Sequence, residues 1–224
     1  MKNNLFPVCR NFNICLGISS KQILKFLQKV KDNGIMIHSM LMMRKDHVVA
    51  EGYYAPFHKD YLHRMYSVSK TFVSTAIGLL VDEGRISLDD YICDYFQDKL
   101  PENPHPYVLD MKIRDLLVMA TPYTTTTYGE KDKDWAWTFF NTEPSHPAGT
   151  VFSYDTSASY TLNVLVERLV GKPFLEYIKD KMLRELGFSE EAWCVKAPEG
   201  NTWGGSGVMC TTRDLARLAL VYMN

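Results

Sequence analysis

Cysteine is scarce in this 224-residue chain: Cys9, Cys15, Cys93, Cys194 and Cys210 are an odd number with no C-x-x-C pair. That argues against a disulfide framework and against a zinc site of the usual spacing, and free thiols suit a reducing compartment. Charge of one sign is also lacking. With 25 Lys+Arg against 26 Asp+Glu the formal net charge is −1, and no long basic block occurs. Nothing here would release counterions from a nucleic acid, so small molecules or proteins are the expected partners. No run approaches the ~20 apolar residues of a membrane span. The first twenty residues, MKNNLFPVCRNFNICLGISS, are broken by Arg10 and several Asn. A signal peptide would need an uninterrupted apolar run of roughly 7 to 15 residues there, so the chain reads as neither secreted nor anchored but cytoplasmic. The six histidines include no H-x-x-x-H pair, and neither a metal nor another cofactor is expected.

What is present is enough apolar material, 46% of residues, to bury a core. Ser19 or Ser20 can cap a helix over 20–32 with Ile23, Phe26, Leu27 and Val30 on one face, stopped by the DNG at 32–34. IMIHSMLMMR and HVVAEGYYA flank the polar Arg44–His47 and predict a hairpin. After Ser67 the period becomes helical, with Phe72, Ala76, Leu79 and Leu80 on a face and Gly84 as the stop. MKIRDLLVMATPY, SASYTLNVLVERLVG, FLEYIKDKMLREL and TTRDLARLALVYMN predict further helices. The segment 121–134 has four consecutive threonines, which discourage helix, and reads as a mobile polar loop.

One short stretch, RMYSVSK at 64–70, carries candidate chemistry. A serine hydroxyl needs a base, and a lysine serves as one only when its surroundings disfavour the ammonium. Ser67 and Lys70 are three apart, on one face of a helix. At a helix start, the free N–H groups and the positive dipole end favour an alkoxide on Ser67 and disfavour the ammonium of Lys70. Taken alone, S-x-x-K arises by chance on the order of once in a chain this long, and an N-cap serine followed by a surface lysine is the readier explanation of it.

The order of later segments adds to it. SVSK is followed by a helix, LLVMATPY, PAGTVFSYDTSASYTLNVLVERLVGKPF and WGGSGVMCTTRDLARLALVYMN. This succession resembles the serine β-lactamase and penicillin-binding protein superfamily, in particular the class C β-lactamase-related branch with its esterases, D-amino-acid peptidases and amide hydrolases. The resemblance implies an α/β fold of the α+β type: an antiparallel sheet flanked by helices, plus a helical subdomain. It places an N-terminal helix and sheet hairpin in 1–60, a mainly helical region with both motifs in 61–200, and a turn and helix returning to the sheet in 201–224. Ser67 then matches the acylated serine, Lys70 the lysine that accepts its proton, and Tyr154 of FSYDT the proton-shuttling tyrosine of a Y-x-N motif. A phenol whose ordinary pKa is near 10 can serve so only beside positive charge. The implied activity is hydrolysis of a small amide or ester through an acyl-enzyme, with no motif choosing between the two.

Two departures stand out. Thr156 replaces the asparagine of Y-x-N, which makes it a weaker candidate for substrate binding, and Asp155 between them is a candidate lysine partner. No K-T-G or H-x-G follows Tyr154, and the chain ends at LVYMN where the resemblance implies further strands and the second oxyanion N–H. Losing one such donor costs on the order of 3 kcal/mol. A truncated enzyme, a fragment completed by another chain, and a catalytically impaired remnant that binds but does not turn over all fit. The hairpin would leave apolar surface open, which implies self-association or a complementing chain. The DWAWTFFNT at 134–142 is either core or a wall of the cleft, and WGGSG, lacking a Walker lysine, reads as a turn.

Overall fold

The computed structural model describes residues 17–223. The signal-peptide reading of the first residues, and Cys9 and Cys15, fall on 1–16 and lie outside the described part. The elements are α1 (Ser20–Asp32), β1 (Ser39–Arg44), β2 (His47–Tyr53), β3 (His63–Arg64), α2 (Ser69–Asp82), α3 (Pro106–Leu109), α4 (Ile113–Leu117), α5 (Trp135–Asn141), α6 (Thr156–Val170), α7 (Phe174–Ile178), β4 (Trp193–Cys194), β5 (Val208–Cys210) and α8 (Thr212–Met223). The described residues form two compact units, 17–63 with 182–192 and 210–223, and 64–181 with 193–209.

In the first unit β1 and β2 pair antiparallel, Ser39 opposite Tyr53 and Arg44 opposite His47, with a bulge after Met42. The two-residue turn Lys45–Asp46 has positive φ at both positions (48° and 61°), the twist that a tight hairpin requires. Helix α8 packs on β1. Arg213 donates to both oxygens of Glu51, 2.8 and 2.6 Å, and the fork holds the Glu51 carboxyl below its ordinary range. Helix α1 covers its apolar face only in part: Val30 is buried, but Leu24 and Phe26 are 66% and 48% exposed. Leu24, Leu27, Ile35, Met36 and Phe57 border an open apolar cleft of about 680 Å³.

The start of α8 is a capping box. Thr211 N–H donates to Asp214 Oδ2 (3.0 Å), and Asp214 N–H donates back to Thr211 Oγ1 (3.1 Å). Asp214 is fully buried and also accepts from Ser189 N–H at 2.9 Å and from Arg217 at 3.0 Å. Replacing it takes an acceptor away from a guanidinium and from two backbone N–H groups at once. Asp214→Ala should therefore cost about 3 kcal/mol, read as a lower urea midpoint at unchanged slope.

The second unit is built around α6. Its residues 157–166 are buried without interruption, so it presents no solvent face there, and α2, α4, α5 and α7 pack on it. Gly171, in the left-handed region at φ 70°, ends it by donating to Glu167 O at 2.9 Å. The buried stripe of α2 runs Ser69, Phe72, Val73, Ala76, Ile77, Leu80. Val73 and Ile77 thus take the place foreseen for Leu79, which lies at the edge of the stripe. The helix expected from Phe174 loses its α-form at Ile178 and widens into a π-type turn over Lys179–Leu183, which carries Lys179 inward onto Glu176 Oε1 at 2.8 Å. The small sheet has the order β3–β5–β4, with Trp193 opposite Met209 and Cys194 opposite Val208. Strand β5 falls between the WGGSG turn and the last helix, where the sequence pattern suggests a turn alone.

Among the described residues no helix is long and apolar enough to cross a membrane, and no three His, Cys, Asp or Glu come together as a metal cluster. Cys93, Cys194 and Cys210 are free and buried, and burial raises each thiol, Cys194 to about 12.

Candidate active site

Ser67 lies in a single 3-10 turn, Tyr66–Val68, that runs directly into α2. It therefore stands just ahead of the helix N-terminus rather than within the helix, its side chain exposed. Tyr66 has φ 46°, a left-handed backbone that a bulky residue adopts at a cost of about 1–3 kcal/mol. Two contacts hold this turn: Met65 N–H donates to Val208 O at 2.8 Å, and Val208 N–H donates to the buried Ser69 Oγ at 3.1 Å.

One helical turn on, Lys70 Nζ comes 3.4 Å from Ser67 Oγ. Its shorter contact is to Gly205 O, at 2.7 Å. Tyr154 arrives from a separate segment, and its hydroxyl donates to Ser67 Oγ across 2.7 Å while Lys70 Nζ sits 5.1 Å from the ring centre. The structure thus gathers Ser67, Lys70 and Tyr154 around one oxygen. The hydrogen bond with Ser67 and, more weakly, the neighbouring Lys70 hold the Tyr154 phenol below its ordinary pKa, against an opposing pull from partial burial.

Tyr154 is held in place from both sides along the chain. On its C-terminal side Asp155, fully buried, is the N-cap of α6: it accepts from Ser157 N–H at 2.7 Å, from the Ser157 hydroxyl and from Thr121 Oγ1 at 3.1 Å. Burial raises its carboxyl, the hydrogen bonds opposing. Its partners are these hydroxyls and not a lysine, which corrects the pairing suggested by the sequence. On the N-terminal side, Ser153 N–H donates to Met119 O at 2.9 Å. Thr156 opens α6 with its N–H on Thr126 Oγ1 (3.0 Å) and its methyl against the turn at Gly205.

The threonine-rich segment, expected to be mobile, is instead tied along the site by its polar groups. Ser153 Oγ donates to Thr124 O (2.6 Å), Thr127 N–H to Ser157 Oγ (3.2 Å), and Trp203 Nε1 to Tyr128 OH (2.9 Å). Tyr128 also stacks on Trp135, 4.0 Å between centres and 2° from parallel. The aromatic run before Tyr154 divides its roles: Phe139 and Phe140 are core, and Trp135 backs the loop against Trp203. A cavity of about 200 Å³ opens behind Lys70, lined by Lys70, Ser74, Met119 and Ser159 among others.

Gly205 is a site residue that the sequence pattern does not single out. The only sign of it is the cluster of glycines at 204, 205 and 207, and what they meet is set by residues far away in the chain.

The 6-aminohexanoate-dimer hydrolase of Paenarthrobacter ureafaciens is 30% identical over 202 residues, taking in 83% of this chain and 52% of that protein. The chain thus spans about half the length of this curated relative. A solved structure from Bacillus anthracis, provisionally described as a 6-aminohexanoate-dimer hydrolase, matches at TM-score 0.74 and 19% identity, over 98% of this chain and 62% of its own. The D-amino acid amidase of Ochrobactrum anthropi SV3 matches at TM-score 0.66 and 16% identity, over 86% and 68%. These likenesses give the fold, β-lactamase/transpeptidase-like and partial beside its full-length relatives. The family model described as Beta-lactamase matches residues 28–224, and the chain belongs to that family.

Proposed function

We propose that the chain is a serine hydrolase that opens a small amide or ester through an acyl-enzyme on Ser67. The observation that carries this reading is the convergence on Ser67 Oγ of Lys70 at 3.4 Å and Tyr154 at 2.7 Å. Ser67 Oγ attacks the substrate carbonyl carbon, and its proton passes to the Lys70–Tyr154 pair. The carbonyl π bond becomes an oxyanion. That oxyanion collapses, breaking the bond to the leaving group, which takes the proton from the pair. Water then attacks the acyl carbon and gives a proton to the same pair. The bond from that carbon to Ser67 Oγ breaks, the pair returns the proton to Ser67 Oγ, and the acid leaves. The name of the curated relative, a 6-aminohexanoate-dimer hydrolase, favours an amide. Thr156, two residues beyond Tyr154 and beside Gly205, is a candidate substrate contact within this reading.

Thr156 in place of the motif asparagine supports a second reading, a catalytically impaired member of the family in which Ser67 acylates and the acyl group stays. One experiment separates them. The protein is incubated with p-nitrophenyl acetate and, separately, with a chromogenic β-lactam, while intact mass and product release are followed. An adduct that maps to Ser67 together with continuing turnover supports the hydrolase. An adduct without turnover supports the impaired form. No adduct with either probe, or an adduct elsewhere, overturns both.

A further inference from the structure

We propose that Gly205 is a positioning residue: its main-chain carbonyl aims the Lys70 amine at Ser67, and glycine is required there because Thr156 fills the space of a side chain. The inference rests on the reading of Ser67 as nucleophile and adds to it the group that holds the lysine.

A lysine carries its amine on a flexible four-carbon stem, and a base serves only if the lone pair is held toward the proton it takes. Here the stronger contact of Nζ is to Gly205 O at 2.7 Å, and Ser67 Oγ lies on its other side at 3.4 Å. A neutral amine spending one N–H on that carbonyl can turn its lone pair to the serine. Once it has the proton, the same carbonyl accepts a charge-assisted bond from the ammonium.

The carbonyl is itself fixed. Gly207 and Ser206 N–H both donate to Trp203 O, at 2.7 and 3.1 Å, and Arg64 Nε donates to Ser206 O at 3.2 Å. The two buried glycines let this turn press against both helices that carry the site. A β carbon on Gly204 would come 2.6 Å from Val73 Cγ2, one turn past Lys70, and 2.7 Å from Asn163 Oδ1. One on Gly205 would come 2.7 Å from Thr156 Cγ2 and 3.1 Å from Thr156 O. Any side chain at 205 therefore pushes the carbonyl away from Lys70 or α6 away from the turn.

Acylation rates with p-nitrophenyl acetate test this in wild type, G205A, K70A, G205A/K70A and G205A/T156S. G205A should lower the rate about tenfold or more where Lys70 is present and less than about twofold in the K70A background, since the glycine acts through the lysine. Trimming the obstructing methyl in G205A/T156S should recover a large part of the loss. An equal loss in both backgrounds, or no loss in G205A, overturns the proposal. Reductive methylation, which labels amines and not hydroxyls, gives a readout independent of Ser67. The Lys70 peptide should label several-fold faster in G205A relative to the other lysines, and an unchanged rate also overturns the proposal. If wild type takes no acyl group, it is the Ser67 reading that fails, while the methylation rates still decide the contact.

Discussion

Lys70→Ala is expected to slow acylation of Ser67 by about 10³-fold, within the range that a positioned general base contributes. The amine is within reach of Ser67 Oγ and fixed by Gly205 O. Its removal leaves Tyr154 as the one titratable group bonded to the serine among the described residues. The bland account of S-x-x-K, a capping serine followed by a surface lysine, makes the opposite forecast. Under it, truncating Lys70 costs a few tenths of a kcal/mol in stability and nothing in labelling. The measurement is the pseudo-first-order appearance of the acyl-protein mass with p-nitrophenyl acetate, with circular dichroism confirming that the variant is folded. A rate within about threefold of wild type would remove Lys70 from the mechanism.

Tyr154→Phe should lower the same rate by about 10²- to 10³-fold and change its dependence on pH. The Tyr154 phenol lies below its ordinary value because the Ser67 hydroxyl and Lys70 favour the phenolate. Raising the pH takes the proton from the Tyr154 phenol and leaves the pair in its basic form. The basic form of the pair is the one that accepts the serine proton, so acylation rises with pH. It levels off below the pH near 10 at which an ordinary tyrosine ionises. In Tyr154→Phe that limb should be lost or displaced, because the phenylalanine ring keeps the packing and has no proton to give up. A variant that keeps both the wild-type rate and the wild-type limb would show the tyrosine to be a bystander.

The contrast between Asp155 and Tyr154 shows how far residue pattern alone reaches. Neighbours in sequence, they point to different surroundings. Tyr154 is 53% exposed at the serine, and Asp155 is fully buried as the cap of α6. The FSYDT pattern indicates that one of them belongs to the site. That Asp155 bonds Thr121 as well as Ser157 depends on a loop that starts 34 residues earlier. The threonines at 124–127 depart from expectation for a related reason. Hydroxyl-rich sequence is irregular in local terms, and nothing local indicates that Ser153, Thr156 and Ser157 lie alongside to bond it.

What the sequence determined by itself was set by short-range physics and by motif order. A 3.6-residue period marks α2 and α6, and Gly171 ends α6. The polar pair at Lys45–Asp46 turns the hairpin, and S-x-x-K three apart puts two side chains on one face. Those are decided by neighbours within about four residues, where steric and hydrogen-bonding rules are nearly independent of the rest of the chain. Motif order points to Tyr154, but only the tertiary structure brought the groups of the site into contact and added Gly205 to them. Tyr154 meets Ser67 across 87 positions, and Gly205 meets Lys70 across 135. A backbone carbonyl has the same chemistry at every residue, so no residue type announces that one will hold a lysine. It becomes a site only where two glycines let the chain approach α2 and α6 closely enough to present it.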